Sequence, residues 1–337
     1  MDKIIITSTF LPGNLENYCK ERNIKTIRLN DDIKSIFTKP ILLLKLIKDS
    51  FKCIAYIKSL RKAKLIVAVF YISIPILILK KLGLIRKSTI IVWAGFFVHN
   101  RNYFKYFKKL FQTLFSENDR LILYSKYERK LYADEFNLNI NNLYYVPLVY
   151  NPGKSIYTDY LRKVKWETMP SNYYFSGGYS HRDYLTLINA FKNVSSNLVV
   201  CTSSLNDELK EVKIPPNVQI LNDVLKEDFS ELIRRSKACL ILIKEDTGAA
   251  GQLFTLEAMY NQRIVICSSS SILKEMVQHE NNGFIVEDAI KEIPSIIQKI
   301  EAESFDIKQM GRKAHENVTK SYGKENHNKL MDLALFH

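Results

Sequence analysis

Short, strongly apolar runs alternate with longer stretches of helical period from one end of the chain to the other. In the first half, strand-length runs fall at Lys3–Thr7, Lys25–Leu29, Leu65–Phe70, Thr89–Trp93, Arg120–Tyr124 and Leu143–Leu148. Helical patterns separate them at Asn14–Glu21, Pro40–Leu60, Ile72–Lys81, Tyr103–Phe115 and Lys126–Phe136. The second half repeats the alternation. Strands are expected at Tyr173–Ser176, Asn197–Cys201, Val218–Leu221, Ala238–Ile243, Arg263–Cys267 and Gly283–Val286. Helices are expected near Tyr184–Asn193, Asp228–Ser236, Gln252–Tyr260 and Ile272–His279, and from Ala289 onward the pattern is helical only. Strand and helix alternating twice over imply two parallel-sheet α/β domains with helices on both faces of each sheet.

Length and composition agree. The chain has 337 residues, 47% hydrophobic and 25% charged, the balance of a folded protein rather than a disordered, collagen-like or disulfide-stapled one. At roughly 150 residues per domain, two domains are expected. The poorly periodic stretch from Asn151 to Ser171 marks the boundary. The expected division is 1–150 and 151–320, with 321–337 a terminal helix returning to the first domain. Five scattered cysteines without a Cys-x-x-Cys pair suit a reducing cytosol. The opening MDKIIITSTF resembles a first strand rather than a signal peptide. The longest uncharged apolar run, Leu65 to Leu79, contains Pro75 and falls short of the roughly 20 residues of a spanning helix.

Charge is unevenly spread. Residues 1–150 carry 26 basic and 11 acidic side chains, a net +15, against 23 and 24, a net −1, in the remainder. Such asymmetry points to a polyanion on one side only. The basic residues sit among Ile, Leu and Phe, and no nucleic-acid motif is present, so an anionic membrane surface is favoured over nucleic acid. In RNYFKYFKKLFQTLF, residues Tyr103, Phe104, Phe107, Leu110, Phe111, Leu114 and Phe115 form one stripe, with Arg101, Lys105, Lys108 and Lys109 off it. A basic amphipathic helix of this kind can lie on a membrane, and a helix on a sheet must equally bury such a stripe.

The candidate chemistry lies in the second half. In KEDTGAAGQLFTLEAMYNQRIVI, a strand ends in a polar, Gly-containing loop that opens a helix near Gly251-Gln252. The first amides of a helix are unpaired donors at the positive end of its dipole, a ready anion site. Glu257 stands six residues on, roughly 9 Å at 1.5 Å per residue. A carboxylate there can accept two hydrogen bonds from a vicinal diol. One short segment thus offers a grip on both ends of a nucleoside diphosphate.

The segment from about Tyr173 to Asp288 resembles the donor-binding domain of GT-B glycosyltransferases, in particular the retaining group 1, or family-four, type. Glu257-Ala258-Met259, the strand Arg263–Cys267 and Asn282-Gly283 match its pattern. The resemblance implies two Rossmann-like domains facing across a cleft, with a nucleotide diphosphate-sugar (UDP- or GDP-linked) as donor and no metal required. It implies that Glu257 holds the donor ribose and that Ala250, Gly251, Gln252 and Leu253 present amides to the phosphates. Arg182, in the turn GGYSHRD with Gly178, would meet the diphosphate, and Val224 would contact the base through its backbone. The first Glu of the family pattern is replaced by Ala249, with Glu245 and Asp246 preceding the loop; a subgroup with Ala-Gly-Gln at this point does without it. In the first domain, Gly13 would lie near the phosphates and His99 near the acceptor hydroxyl or donor sugar, His99 and Arg182 being the catalytic candidates.

The expectation is therefore a glycosyltransferase acting on an oligosaccharide or lipid-linked surface-glycan acceptor. It would be cytoplasmic and peripheral on the inner face of the membrane. The alternative is a non-catalytic GT-B-like partner subunit or glycan-binding protein.

Overall fold

The computed structural model describes residues 3–7, 15–28, 52–85, 88–93, 104–150, 162–179, 181–204, 206–244 and 250–336. The chain forms two compact units, Met1–Val149 with Lys324–His337, and Tyr150–Gly323.

The first unit contains β1 (Lys3–Thr7), α1 (Leu15–Glu21), β2 (Lys25–Arg28), α2 (Ile57–Lys62), β3 (Leu65–Val69), α3 (Phe70–Lys81), β4 (Thr89–Trp93), α4 (Phe104–Leu114), β5 (Arg120–Leu123), α5 (Lys126–Phe136) and β6 (Leu143–Tyr145). Its six strands are parallel, in the order β2-β1-β3-β4-β5-β6. Successive side chains of a strand point to opposite faces, and the core divides accordingly. Ile66, Ala68, Ile90, Val92, Leu121 and Leu123 bury one face against helices α3, α4 and α5. Val67, Ile91, Trp93 and Ile122 bury the other against Tyr18 and Cys19 of α1 and against Met331, Ala334 and Leu335. Those last three lie on α11 (Lys324–Phe336), the end of the chain. Asp332 of α11 accepts from both Arg22 Nε and Nη2, at 2.8 and 2.7 Å, and from Tyr18 Oη at 2.7 Å. The planar guanidinium makes this a fork-shaped, charge-assisted clamp.

The second unit contains β7 (Tyr173–Gly177), α6 (Tyr184–Phe191), β8 (Asn197–Thr202), β9 (Val218–Asn222), α7 (Lys226–Arg235), β10 (Cys239–Ile241), α8 (Gln252–Tyr260), β11 (Val265–Ser268), β12 (Gly283–Val286), α9 (Ala289–Glu301) and α10 (Ile307–Ser321). Its parallel strands run β12-β11-β10-β7-β8-β9. Counted from β7 this is the 3-2-1-4-5-6 order of dinucleotide-binding sheets, with its switch point between β7 and β10.

Most elements fall where the hydrophobic pattern places them. The helix expected at Ile272–His279 does not form. Only a 3-10 turn, Leu273–Glu275, is present, because side chains compete for the backbone. Ser270 Oγ accepts from Leu273 N, and buried Asn282 accepts from Gln278 N at 2.7 Å. The stripe on α4 divides where its side chains are described: its C-terminal part is core, while Leu110 is exposed. Phe111 is buried against Phe136 and Phe115, and Leu114 packs against the same cluster. Tyr103 lies outside the described residues, as does 40–51 of the helix expected at Pro40–Leu60. Among the described residues, no helix is long and apolar enough to cross a membrane.

His327 of α11 is buried, and its Nδ1–H donates to Pro147 O at 2.8 Å. Nε2 has no partner among the described residues, so a proton added there finds no acceptor. Burial lowers the pKa of the imidazole, against the raising effect of the Pro147 bond. The unfolded histidine binds its proton near pH 6.5, so this term of stability is complete above that pH and is lost as pH falls toward the lowered folded value. The melting temperature of the protein is expected to fall between about pH 7 and 5 more steeply than that of His327→Phe. Parallel curves would place the acid sensitivity elsewhere.

Candidate functional site

The switch point of the second sheet is built by two loops that meet. The segment after β7 turns through Gly178, which has φ +135°, and returns along the segment after β10. Asp183 N donates to Leu242 O at 2.9 Å and Lys244 N to His181 O at 3.2 Å, which pairs Arg182 with Ile243 in an antiparallel bridge. Asp183 then caps α6, accepting from Thr186 N at 3.0 Å. Tyr184 Oη donates to Gly178 O at 2.7 Å, and Arg182 Nε to Gly177 O at 3.2 Å. The side chain of Arg182 is folded over Gly178: a Cβ there would stand 2.6 Å from its Nη2. Gly177 makes room for another group, the ring of Phe229, whose Cζ would be 2.4 Å from a Cβ. The two glycines thus accommodate the protein's own side chains.

On the other wall, Gly251 is the N-cap of α8 with φ +88° and no side-chain cap. Its Cβ would meet Ile241 Cδ1 at 2.5 Å and Ile243 Cδ1 at 3.3 Å. Gly251 and Arg182 therefore abut the same short segment. The first bond inside the helix is Thr255 N to Gly251 O, so the amides of Gln252, Leu253 and Phe254 have no carbonyl within the helix. Gln252 is buried, and its Oε1 has no hydrogen-bond partner among the described residues; buried Thr255 Oγ1 is likewise unpartnered. A buried polar atom without a partner costs stability, and such atoms at an uncapped helix start fit a site built for a polar ligand.

Glu257, two turns into α8, is 3% exposed. Its Oε1 accepts from Ser230 Oγ of α7. Burial holds its carboxyl above the usual carboxylate range, opposed by the Ser230 hydroxyl and by the charges of Arg234 and Lys226. Three rings hold the helices that carry this pair. Phe175 of β7, Phe229 of α7 and Phe254 of α8 lie 5.3, 5.9 and 6.1 Å apart in pairs. Val224, just before α7, has a buried side chain, and the chain bridges in parallel to Arg162 there. Beside it, burial would raise the Asp223 carboxyl, but hydrogen bonds from Ser204 and Ser203, with Arg162 nearby, hold it below the usual range.

The family model described as Glycosyl transferases group 1 matches residues 170–302. The second unit carries a group 1 glycosyltransferase domain. Solved structures similar over nearly the whole chain include HepE from Anabaena in complex with UDP, at 10% identity and TM-score 0.69, covering 99% of both chains. Sucrose-phosphate synthase from Thermosynechococcus elongatus is similar at 14% identity and TM-score 0.72, covering 98% of both chains. The apo form of the lipopolysaccharide outer core galactosyltransferase WaaB is similar at 13% and 0.64, covering 98% of both. At such identities the likeness establishes the fold, the two-domain, Rossmann-like GT-B fold. None of the curated proteins matches the chain by sequence.

Within the group 1 domain, the residues singled out from sequence divide. Gly178, Arg182, Gly251, Gln252, Leu253 and Glu257 stand on the two loops and the helix at the switch point, with Ala250 just before the cap. Asn282 and Gly283 instead serve packing: a Cβ on Gly283 would strike Val265 O at 2.4 Å. Gly13, His99, Glu245, Asp246 and Ala249 lie outside the described residues. Ser230 and the three phenylalanines carry no sequence signal for this role, because Ser230 and Glu257 are 27 positions apart and meet only through the packing of α7 on α8.

A carboxyl whose pKa is raised in the folded state stabilises the fold only at acid pH and weakens it as pH rises through that value. Glu257→Gln retains an acceptor for Ser230 and removes the buried charge. At neutral pH it is expected to melt at or above the temperature of the parent protein. Its affinity for a nucleoside diphosphate should fall roughly ten- to a hundredfold, since a hydrogen bond to a charged group is worth about 1.5–3 kcal/mol. Calorimetry and nucleotide titration of the variant test this; a lower melting temperature with unchanged affinity would make Glu257 a structural residue.

Proposed function

We propose that the chain is a hexosyltransferase-type glycosyltransferase. It moves a sugar from a UDP- or GDP-sugar to an oligosaccharide or lipid-linked acceptor of a surface glycan, with retention. One observation carries the reading: a helix start without a side-chain cap, whose first amides have no partner among the described residues, followed in the second turn by a buried carboxylate, stands at the switch point of a group 1 glycosyltransferase domain. The amides near Gly251 and the Arg182 guanidinium would hold the diphosphate and stabilise it as it leaves. Glu257 would accept from the ribose hydroxyls. HepE, similar over the whole chain, was solved with UDP. The first unit would take the acceptor.

The same proposal places the protein peripherally on the cytoplasmic face of a membrane. The net +15 of residues 1–150 supports it, and so does one corner of the first unit. There Arg61 Nε donates to Leu84 O at 3.0 Å, joining α2 to the end of α3. Leu82, 67% exposed, and exposed Ile78 stand on that corner with exposed Lys58, Lys62 and Lys81. It offers apolar side chains to insert and cations to meet headgroups.

Thermal shift with UDP, GDP, ADP and CMP tests the donor. A nucleotide at about 100 times its Kd stabilises by about 2.7 kcal/mol. One base should do so, and the shift should vanish in Arg182→Ala and Glu257→Ala. Silence with all four would favour the non-catalytic partner. For the membrane, the protein should sediment with phosphatidylglycerol vesicles and not with phosphatidylcholine ones. Reversing Lys62 and Lys81 to Glu should weaken this at least roughly thirtyfold, since two cations near the surface contribute about 1 kcal/mol each. Equal binding to both vesicles would reject the surface.

A further inference from the structure

A polar groove of about 490 Å³ opens in the first unit, where β5 and β6 begin, at the opposite edge of the sheet from the strands' carboxyl ends. We propose that it is a binding site for a neutral oligosaccharide, separate from the donor site. The inference does not depend on which nucleotide, if any, the second unit takes.

Three amides of its lining are each tied down at one end. Gln112 Nε2 donates to Phe136 O at 2.8 Å, which joins α4 to α5. Asn142 Nδ2 donates to Glu117 O at 2.8 Å, which joins the loops before β5 and β6. Asn139 Oδ1 accepts from Asn141 N at 3.0 Å. The other ends, Gln112 Oε1, Asn142 Oδ1 and Asn139 Nδ2, have no hydrogen bond to any described residue. Two fixed acceptors and a fixed donor suit hydroxyl groups, each of which donates and accepts.

The walls are rigid, so little ordering remains to be done on binding. Fully buried Asp119 locks one loop, accepting from Ile90 N, Ser116 N, Ser116 Oγ and Lys80 Nζ at 2.6–2.9 Å. Asn137, in the left-handed conformation at the end of α5, fixes the other. Half-buried Phe115 and Leu138 add apolar surface for the C–H faces of a sugar ring.

Charge selects the ligand class. The groove lies in the unit that carries the basic excess, yet no Lys or Arg lines it, and its single charged group is the carboxylate of Glu117. A phosphate or other polyanion meets no Lys or Arg among the lining residues, since Lys80, which bonds Ser116 Oγ at 3.1 Å, is paired with Asp119, whereas hydroxyls can donate to the Glu117 carboxylate. The volume lies within the range of about 300–1,000 Å³ typical of small-ligand sites.

The test uses the intact protein, titrated with maltohexaose, cellohexaose and a galactan hexasaccharide by saturation-transfer NMR, with polyphosphate as the charged comparator. At least one neutral hexasaccharide is expected to bind. Gln112→Ala and Asn139→Ala should each weaken it roughly three- to tenfold, the value of one hydrogen bond. Leu138→Arg should abolish binding. Unchanged melting temperatures show that the variants remain folded, and any variant that melts early is replaced by Asn139→Asp. Binding of polyphosphate alone, of no hexasaccharide, or of a hexasaccharide with equal affinity in parent and variants overturns the proposal. The nucleotide panel fails or succeeds independently of these results.

Discussion

The packing of Phe175, Phe229 and Phe254 sets the geometry of the second unit's switch point. Each ring comes from a different element, and each stands next to something the site needs. Phe229 immediately precedes Ser230. Phe254 precedes Glu257 by three positions, nearly one helical turn. Phe175 precedes the glycine pair that ends β7. Because Phe229 fills the space beside Gly177, that glycine admits no Cβ. Aromatic pairs of this kind add about 0.5–1.5 kcal/mol each beyond the area they bury. They let two helices carry a carboxylate and its hydroxyl partner into contact at a cost in desolvation.

Part of that cost is visible at the site. Glu257 is held above its usual range by burial, Gln252 and Thr255 keep buried oxygens without a partner among the described residues, and α8 begins without a side-chain cap. Away from it, Asp119 and Ser88 are satisfied, while His327 Nε2 and Asn328 Oδ1 are buried without a described partner. Departures from local consistency are expected at functional sites. Here three of them stand on one helix at the switch point of the sheet.

The strands and most helices were legible in the sequence because their apolar runs are long and face a core on both sides. The helix expected at Ile272–His279 was misread because its pattern is apolar enough for a helix, while Ser270 and Asn282 offer the backbone other partners. The helix that opens at Gly251-Gln252 was legible too, since a loop opening a helix after a strand needs no tertiary knowledge. The role of Gly177 was not, because it depends on a ring 52 positions away in the chain. The stripe on α4 was ambiguous in principle: the same periodicity serves a sheet or a membrane, and only tertiary packing shows that Phe111 is buried while Leu110 is exposed.

The clamp between Arg22 and Asp332 spans 310 positions of sequence. The second unit is therefore an insertion within the chain of the first. During synthesis, the face made by Val67, Ile91, Trp93 and Ile122 leaves the ribosome ahead of Met331, Ala334 and Leu335, which cover it, by the length of the whole second unit. The second unit, continuous in sequence, can complete its sheet in that interval. The first sheet meanwhile waits half-covered, exposed to chaperones and to aggregation, until α11 emerges.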